Sequence, residues 1–178
     1  MSNIWFTGDH HFGHKNILKF TRDDGSRLRD FHSIHEMNMV LIDNWNSVVK
    51  DSDIVYHLGD FCFNKKLMPF LQCLHGQKRL IRGNHDKFQL PLYRTVFKEI
   101  YGVRLVHQYV LTHVPIHPAC MWRDRKNIHG HIHYRRIKDE DGHIDNRYIN
   151  VSVENTNYMP VSIDEVENLV LSATENEY

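Results

Sequence analysis

Apolar residues recur at Ile34, Met37, Leu41, Ile42, Trp45, Val48 and Val49, in three- and four-residue steps that predict an amphipathic helix over 34–49. Short runs of another kind flank it. Residues 4–7 (Ile-Trp-Phe-Thr), 53–58 (Asp-Ile-Val-Tyr-His-Leu) and 78–81 are brief and apolar, and each predicts a strand, while 67–74 predicts a second helix. After Asp86 the pieces shorten to 103–106, 109–112, 127–130 and 148–153, which predicts a second sheet packed on the first. The run Asp139-Glu140-Asp141-Gly142 predicts an exposed turn. Ser162 followed by Glu165 predicts a capping box that opens a last helix through Leu171, with 174–178 frayed. There is no repeat, low-complexity tract or linker, and 178 residues suit one domain over 1–178.

Composition narrows the class. The chain has 22 basic and 22 acidic residues, so no global field draws it to duplex nucleic acid or to an anionic membrane. No apolar stretch reaches the 18 or so residues of a membrane span, and the N-terminus enters a strand without a basic leader, which predicts a cytoplasmic protein. Cys62, Cys73 and Cys120 are odd in number and without a close pair, which fits small apolar core residues in a reducing compartment.

Histidine is abundant, at 15 residues. Six of them lie in five short segments: Gly8-Asp9-His10-His11, Gly59-Asp60, Gly83-Asn84-His85-Asp86, His113, and Gly130-His131-Ile132-His133. Carboxylate, imidazole and amide oxygen together suit Mn, Fe, Zn or Ni better than Ca. No thiolate occurs in these segments, which argues against a closed structural zinc site. The predicted strands deliver the segments at their carboxyl ends, where open α/β sheets bind ligands.

In order, these segments resemble the pattern of the metallophosphoesterase (calcineurin-like phosphoesterase) superfamily: Asp-x-His, Gly-Asp, Gly-Asn-His-Asp/Glu, His, Gly-His-x-His. They span Asp9 to His133, and 149–153 (Ile-Asn-Val-Ser-Val) is similar to the closing strand of small members. The resemblance implies an α/β fold, a four-layer α/β/β/α sandwich of two mixed sheets flanked by helices. It also implies two divalent cations, Mn2+ foremost, with Fe, Ni, Zn or Mg open. One cation falls to Asp9, His11, Asp60 and His133, the other to Asp60, Asn84, His113 and His131, with Asp60 bridging. Residues two apart on an extended segment share a side, so His131 and His133 can serve adjacent ions. His85 is assigned the proton donor to the leaving oxygen, and Asp86 the group that orients its imidazole.

The implied activity is hydrolysis of a phosphate-ester small molecule by a metal-activated water, phosphodiesters before monoesters, with nucleotides or cyclic nucleotides as candidate substrates. A phosphomonoesterase and a non-catalytic metal-binding scaffold are the alternatives. Gly59-Asp60 continues as Phe61-Cys62-Phe63-Asn64 where protein phosphatases carry Asp-Arg-Gly, so phosphoprotein substrates are not expected. The run Gly13 to Asn16 (Gly-His-Lys-Asn) is similar to short bacterial and phage members. Substrate contacts are expected from His10, His14, Arg82, His117, Trp122 and Arg123, and specificity from loops 15–34 and 115–126. His32, His35, His57, His75, His107, His129 and His143 are read as structural. Oligomeric state is not encoded in these patterns.

Overall fold

Ser33 starts the long helix α1 (Ile34–Val48), its hydroxyl accepting the Glu36 N–H at 3.1 Å while the Glu36 carboxylate accepts the His32 N–H at 2.7 Å. Met37, Leu41, Ile42 and Trp45 form its buried stripe, as the periodicity predicts. The computed structural model describes residues 2–122 and 124–169.

The remaining elements are β1 (Ile4–Thr7), β2 (Ile54–His57), β3 (Gln77–Ile81), the short α2 (Leu90–Tyr93), β4 (Glu99–Tyr101), β5 (Arg104–Val106), β6 (Tyr109–Leu111), β7 (Lys126–His129), β8 (Tyr148–Asn150) and β9 (Val161–Ser162). They make two mixed sheets. The first runs β4-β3-β2-β1-β9, parallel except for β9; the second runs β5-β6-β7-β8, parallel except for β5.

Alternation along each strand divides the core in two. Trp5, Val55 and Leu80 point toward α1, whereas Phe6, Tyr56 and Ile81 meet Val106, Leu111, Ile128 and Ile149 of the second sheet. The two sheets therefore face one another across an apolar layer. On the far side of the second sheet, Asn127 accepts the Ile116 N–H at 3.1 Å and the Tyr148 hydroxyl donates to the Ile116 carbonyl at 2.8 Å, so a loop lies there. Among the described residues there are two α-helices, and none is long and apolar enough to cross a membrane.

Two helix predictions are corrected. Residues 67–74 form the end of one 3-10 turn and a second at Phe70–Cys73, because Pro69 supplies no N–H and cannot sit inside a continuous α-helix. After β9, 163–167 are turns, and the Ser162 hydroxyl bonds the Glu165 carboxylate at 2.9 Å instead of capping a helix; helical backbone begins only at 168–169, and 170–171 of that predicted helix lie outside the described residues.

Candidate metal centre

Every segment singled out in the sequence leaves the carboxyl end of a strand: Asp9 and His11 after β1, Asp60 after β2, Asn84 and His85 after β3, His113 after β6, His131 and His133 after β7. The first two loops continue side by side, with Asp9 N–H donating to the Gly59 carbonyl and His11 N–H to that of Asp60, each at 3.0 Å. Five of these residues have left-handed backbone: Asp9 (φ 56°), His11 (53°), Asp60 (55°), His131 (70°) and His133 (52°). Each such non-glycine residue costs on the order of 1–3 kcal/mol, and such strain gathers at functional sites. Here it turns successive side chains inward.

The bends are held by buried polar braces. Asp9 Oδ2 accepts the His131 N–H at 2.9 Å and the Ser152 hydroxyl at 2.7 Å. Asp60 Oδ1 accepts the His85 N–H at 2.9 Å. The fully buried Arg29 donates to the carbonyls of Asp9 and His10, and to Glu154 Oε1 at 2.8 Å from Nε. Glu154 Oε1 in turn lies 3.0 Å from His133 Nδ1.

These braces leave a set of ligand atoms turned toward one another. Asp9, His11 and His133 offer atoms all within 4.8 Å of each other, and so do Asp9, Asp60 and His113. Asp60 Oδ2 stands 3.7 Å from His11 Nε2 and 3.5 Å from His113 Nε2, between the two imidazoles. The Asn84 amide oxygen is 2.8 Å from His113 Nε2, and the His131 ring lies 5.0 Å from that of His113. All seven sequence-predicted ligands are thus brought to one place.

Three observations fit this place to cations. Asp9 Oδ1 and His11 Nε2 are buried with no hydrogen-bond partner, at 3.8 Å from each other. Two atoms each about 2.0–2.2 Å from one cation lie no more than about 4.4 Å apart. Second, His113 Nδ1 donates to the Leu58 carbonyl at 2.7 Å, so its Nε2 faces the Asn84 and Asp60 oxygens and needs a proton or a cation between them. Third, glycines make room for the carboxylates: a Cβ on Gly130 would sit 2.2 Å from Asp9 Oδ2, and one on Gly83 2.3 Å from Asp60 Oδ1.

The electrostatics agree. Burial alone would raise the Asp9 carboxyl, but His11, His113 and His133 overcome it and hold it well below the usual carboxylate range. Asp60 is likewise lowered against burial, chiefly by His113. Burial pushes His11 down to about 4, so it is the neutral imidazole that a metal requires. For His113, burial pulls down, yet the Asp60 carboxylate, Asp9 and the Leu58 carbonyl raise it from 6.5 to about 9.

A folded value above the unfolded one means that protonated His113 stabilises the metal-free protein fully below pH 6.5, and that this contribution is lost as pH rises through about 9. The unfolding temperature of chelator-treated protein is therefore expected to fall between those limits, and His113→Gln to flatten the fall. A wild-type midpoint that climbs across the same interval refutes the assignment.

Other sequence predictions fare differently. His85 sits beside the centre, exposed, its ring 5.0 Å from Phe63 and 6.1 Å from His11. Asp86 does not orient it: its carboxylate accepts the backbone N–H groups of Asp60, Phe61 and Gly83 at 2.9–3.0 Å, with the Tyr93 hydroxyl at 3.3 Å. Its role is to tie the β2 and β3 loops together. His10 is no substrate contact either, being fully buried against Phe12, Trp45 and His57.

His14 does stay at the centre. Its Nδ1 lies 3.3 Å from that of His11, and its ring stacks on Phe63 at 4.1 Å. Arg82 bends back onto the Asp86 carbonyl at 2.7 Å, and His117 accepts the Ala119 N–H at 3.2 Å to cap a short turn. Trp122 is 57% exposed with no bond to any predicted ligand, and Arg123 lies outside the described residues. Sequence reasoning missed Arg29, Glu154 and Ser152. The one signal for the last two was the closing-strand match at 149–153, which stops one residue short of Glu154.

Facing mixed sheets with a convergent carboxylate and histidine centre at their strand ends define the class, an α/β protein built around a candidate metal site. The chain belongs to the family of the uncharacterized protein MJ1445 of Methanocaldococcus jannaschii, to which it is 40% identical over 176 residues, covering 96% of this chain and 92% of that protein. It is 30% identical to the Gene 66 protein of Mycobacterium phage D29, over 78% of this chain and 82% of that one. The crystal structure of AQ665 from Aquifex aeolicus, a protein of unknown function, superposes with a TM-score of 0.71 at 30% identity, over 96% of this chain and 100% of that one. No family model matches the chain.

Proposed function

We propose that this protein is a dinuclear-metal phosphoesterase of the metallophosphoesterase superfamily, with that superfamily's four-layer α/β/β/α sandwich, and that it hydrolyses small phosphodiesters in preference to monoesters. The observation that carries the reading is the convergence of Asp9, His11, Asp60, His113 and His133 with Asp9 Oδ1 and His11 Nε2 buried and unpartnered. Asp9, His11, Asp60 and His133 would hold one cation; Asp60, Asn84, His113 and His131 would hold the other. When bound, two divalent cations, Mn2+ first among Mn, Fe, Ni, Zn and Mg, supply Lewis acidity toward water and phosphate oxygen.

The chain's own residues do the rest. Two carboxylates and one neutral amide against two dications leave the centre positive for an anionic ester. His85, exposed beside the ligands and not among them, delivers a proton to the departing oxygen. Phe63 walls this side, with His11, His14 and His85 ranged around its ring, and keeps the acid over the centre. The free cysteines fit a cytoplasmic setting, although only Cys62 is the core residue expected of all three; Cys73 and Cys120, each in a short 3-10 turn, are exposed.

The test is hydrolysis of a bis-aryl phosphodiester and of the matching aryl monoester by Mn-loaded protein. Diester hydrolysis is expected, and His85→Ala should lower its kcat by about 10²–10⁴, the usual worth of a positioned acid. Absence of turnover on both esters, with two Mn bound, overturns the proposal.

A further inference from the structure

A groove of about 360 Å³ opens at His131 and His133 and runs between the 20–28 loop and the 131–135 loop. It shares only His131 and His133 with the proposed ligand set, and His85 does not line it. Its floor is apolar, built from Leu28, Ile132, the half-buried Tyr134 ring and Phe20, which is 44% exposed. The Tyr134 hydroxyl is occupied by the Asp23 N–H at 3.0 Å, so the groove is offered ring surface and not a phenol. Arg22 lies over Tyr134 at 4.9 Å and Arg135 at 5.6 Å, two planar cations at the rim. At its other end the Phe20 ring meets His14 edge-on at 5.7 Å, and His14 touches His11. Flat side chains thus lead from His11 through His14 to Phe20 at the groove, whose lining also includes Tyr134.

Volume and chemistry together select an occupant. At about 300–1,000 Å³ for small-molecule pockets, this groove is at the small end and takes one compact group, not a polypeptide or a duplex. Exposed aromatic faces with arginine planes beside them bind flat heteroaromatic rings, irrespective of which base is presented. We propose that the groove is the specificity subsite of the centre, and that it takes the base of a nucleoside whose phosphodiester lies at His131 and His133. The phosphate end of this inference rests on the phosphoesterase reading; the base end rests on the groove alone. It places the base on Phe20 and Tyr134, away from Trp122.

Two diesters separate the ends: thymidine 5′-(4-nitrophenyl) phosphate and ethyl 4-nitrophenyl phosphate share a leaving group and differ only in the group meant for the groove. With Mn-loaded protein, the ratio of their kcat/KM values is expected to favour the nucleoside, and Phe20→Ala to reduce that ratio about tenfold, as loss of one stacking platform does. Tyr134→Leu should reduce it too, and Trp122→Ala should not. A ratio untouched by both groove variants overturns the subsite while leaving the hydrolase standing. If wild type cleaves neither ester, the hydrolase reading has failed, and calorimetric titration with thymidine 5′-monophosphate decides the groove separately. Weaker binding to Phe20→Ala than to wild type supports it, and equal or absent binding overturns it. Phe20 is half in solvent, so its truncation spares the core.

Discussion

Alanine at Gly83 or at Gly130 is expected to weaken binding of Mn2+ by about 10- to 100-fold, the range seen when the groups that fix metal ligands are displaced. A Cβ at Gly83 falls 2.3 Å from Asp60 Oδ1 and 2.5 Å from the Asp60 backbone nitrogen, and one at Gly130 falls 2.2 Å from Asp9 Oδ2. Neither contact can be tolerated, and in the first the backbone itself must move. The displaced carboxylate is the proposed shared ligand in one case and the most buried of the proposed ligands in the other. Overpacking of this kind also costs about 1–3 kcal/mol of stability. Gly102, with nothing within 4 Å of its would-be Cβ, is the matched control. Calorimetric titration of the three variants with Mn2+ reads the result; a Gly83→Ala protein with wild-type affinity for two ions would show that Asp60 is not the bridge.

Arg29→Met is expected to be the most destabilising single change in the molecule, by about 3–5 kcal/mol, because it strands the partner of a buried ion pair. Arg29 and the Glu154 side chain are both fully buried, with Nη2 and Oε1 at 2.7 Å. Removing the guanidinium leaves a buried carboxylate with only His133 facing it and frees the carbonyls of Asp9 and His10 in the strained first loop. The double variant Arg29→Met/Glu154→Leu should regain much of the stability, since two apolar groups replace a pair whose desolvation was costly. It should not regain metal affinity, because His133 has then lost the acceptor at its Nδ1. Urea unfolding and Mn2+ titration on the three proteins separate these effects. Equal stability of the single and double variants would mean that Glu154 is not left charged when Arg29 goes.

The convergent residues were legible in the chain because each pair or triple sits within one loop, so its spacing survives in the sequence as a short motif. The braces were not, since Arg29 and Glu154 are 125 residues apart and neither lies in a motif. Their pairing is a product of the two sheets meeting at Gly8 and Ser152, which no local pattern records. His10 was misjudged because the left-handed bends at Asp9 and His11, which turn both toward the centre, leave no mark in the sequence, and His10 between them goes instead to Trp45 and His57. Trp122 was placed in the site by its position between His113 and His131, but nearness along the chain is a poor guide across a loop. The loop that does line the groove, 20–28, had been expected to govern specificity, and its aromatic member Phe20 went unnoticed among polar neighbours. Pro69 was the visible warning against the second helix.

The left-handed ligand residues carry a meaning for how the protein uses metal. Arg29, Asp86 and Ser152 brace those bends through protein groups, so the fold's own hydrogen bonds help to set the shape of the candidate centre. On the proposed reading, a cation entering the centre would have to displace protons from His113 and from His133, both of which the neighbouring carboxylates hold toward the protonated form. If the proposal holds, a cage of this kind would admit any of the candidate ions, and the same polypeptide would change its chemistry with its metal supply while keeping one form.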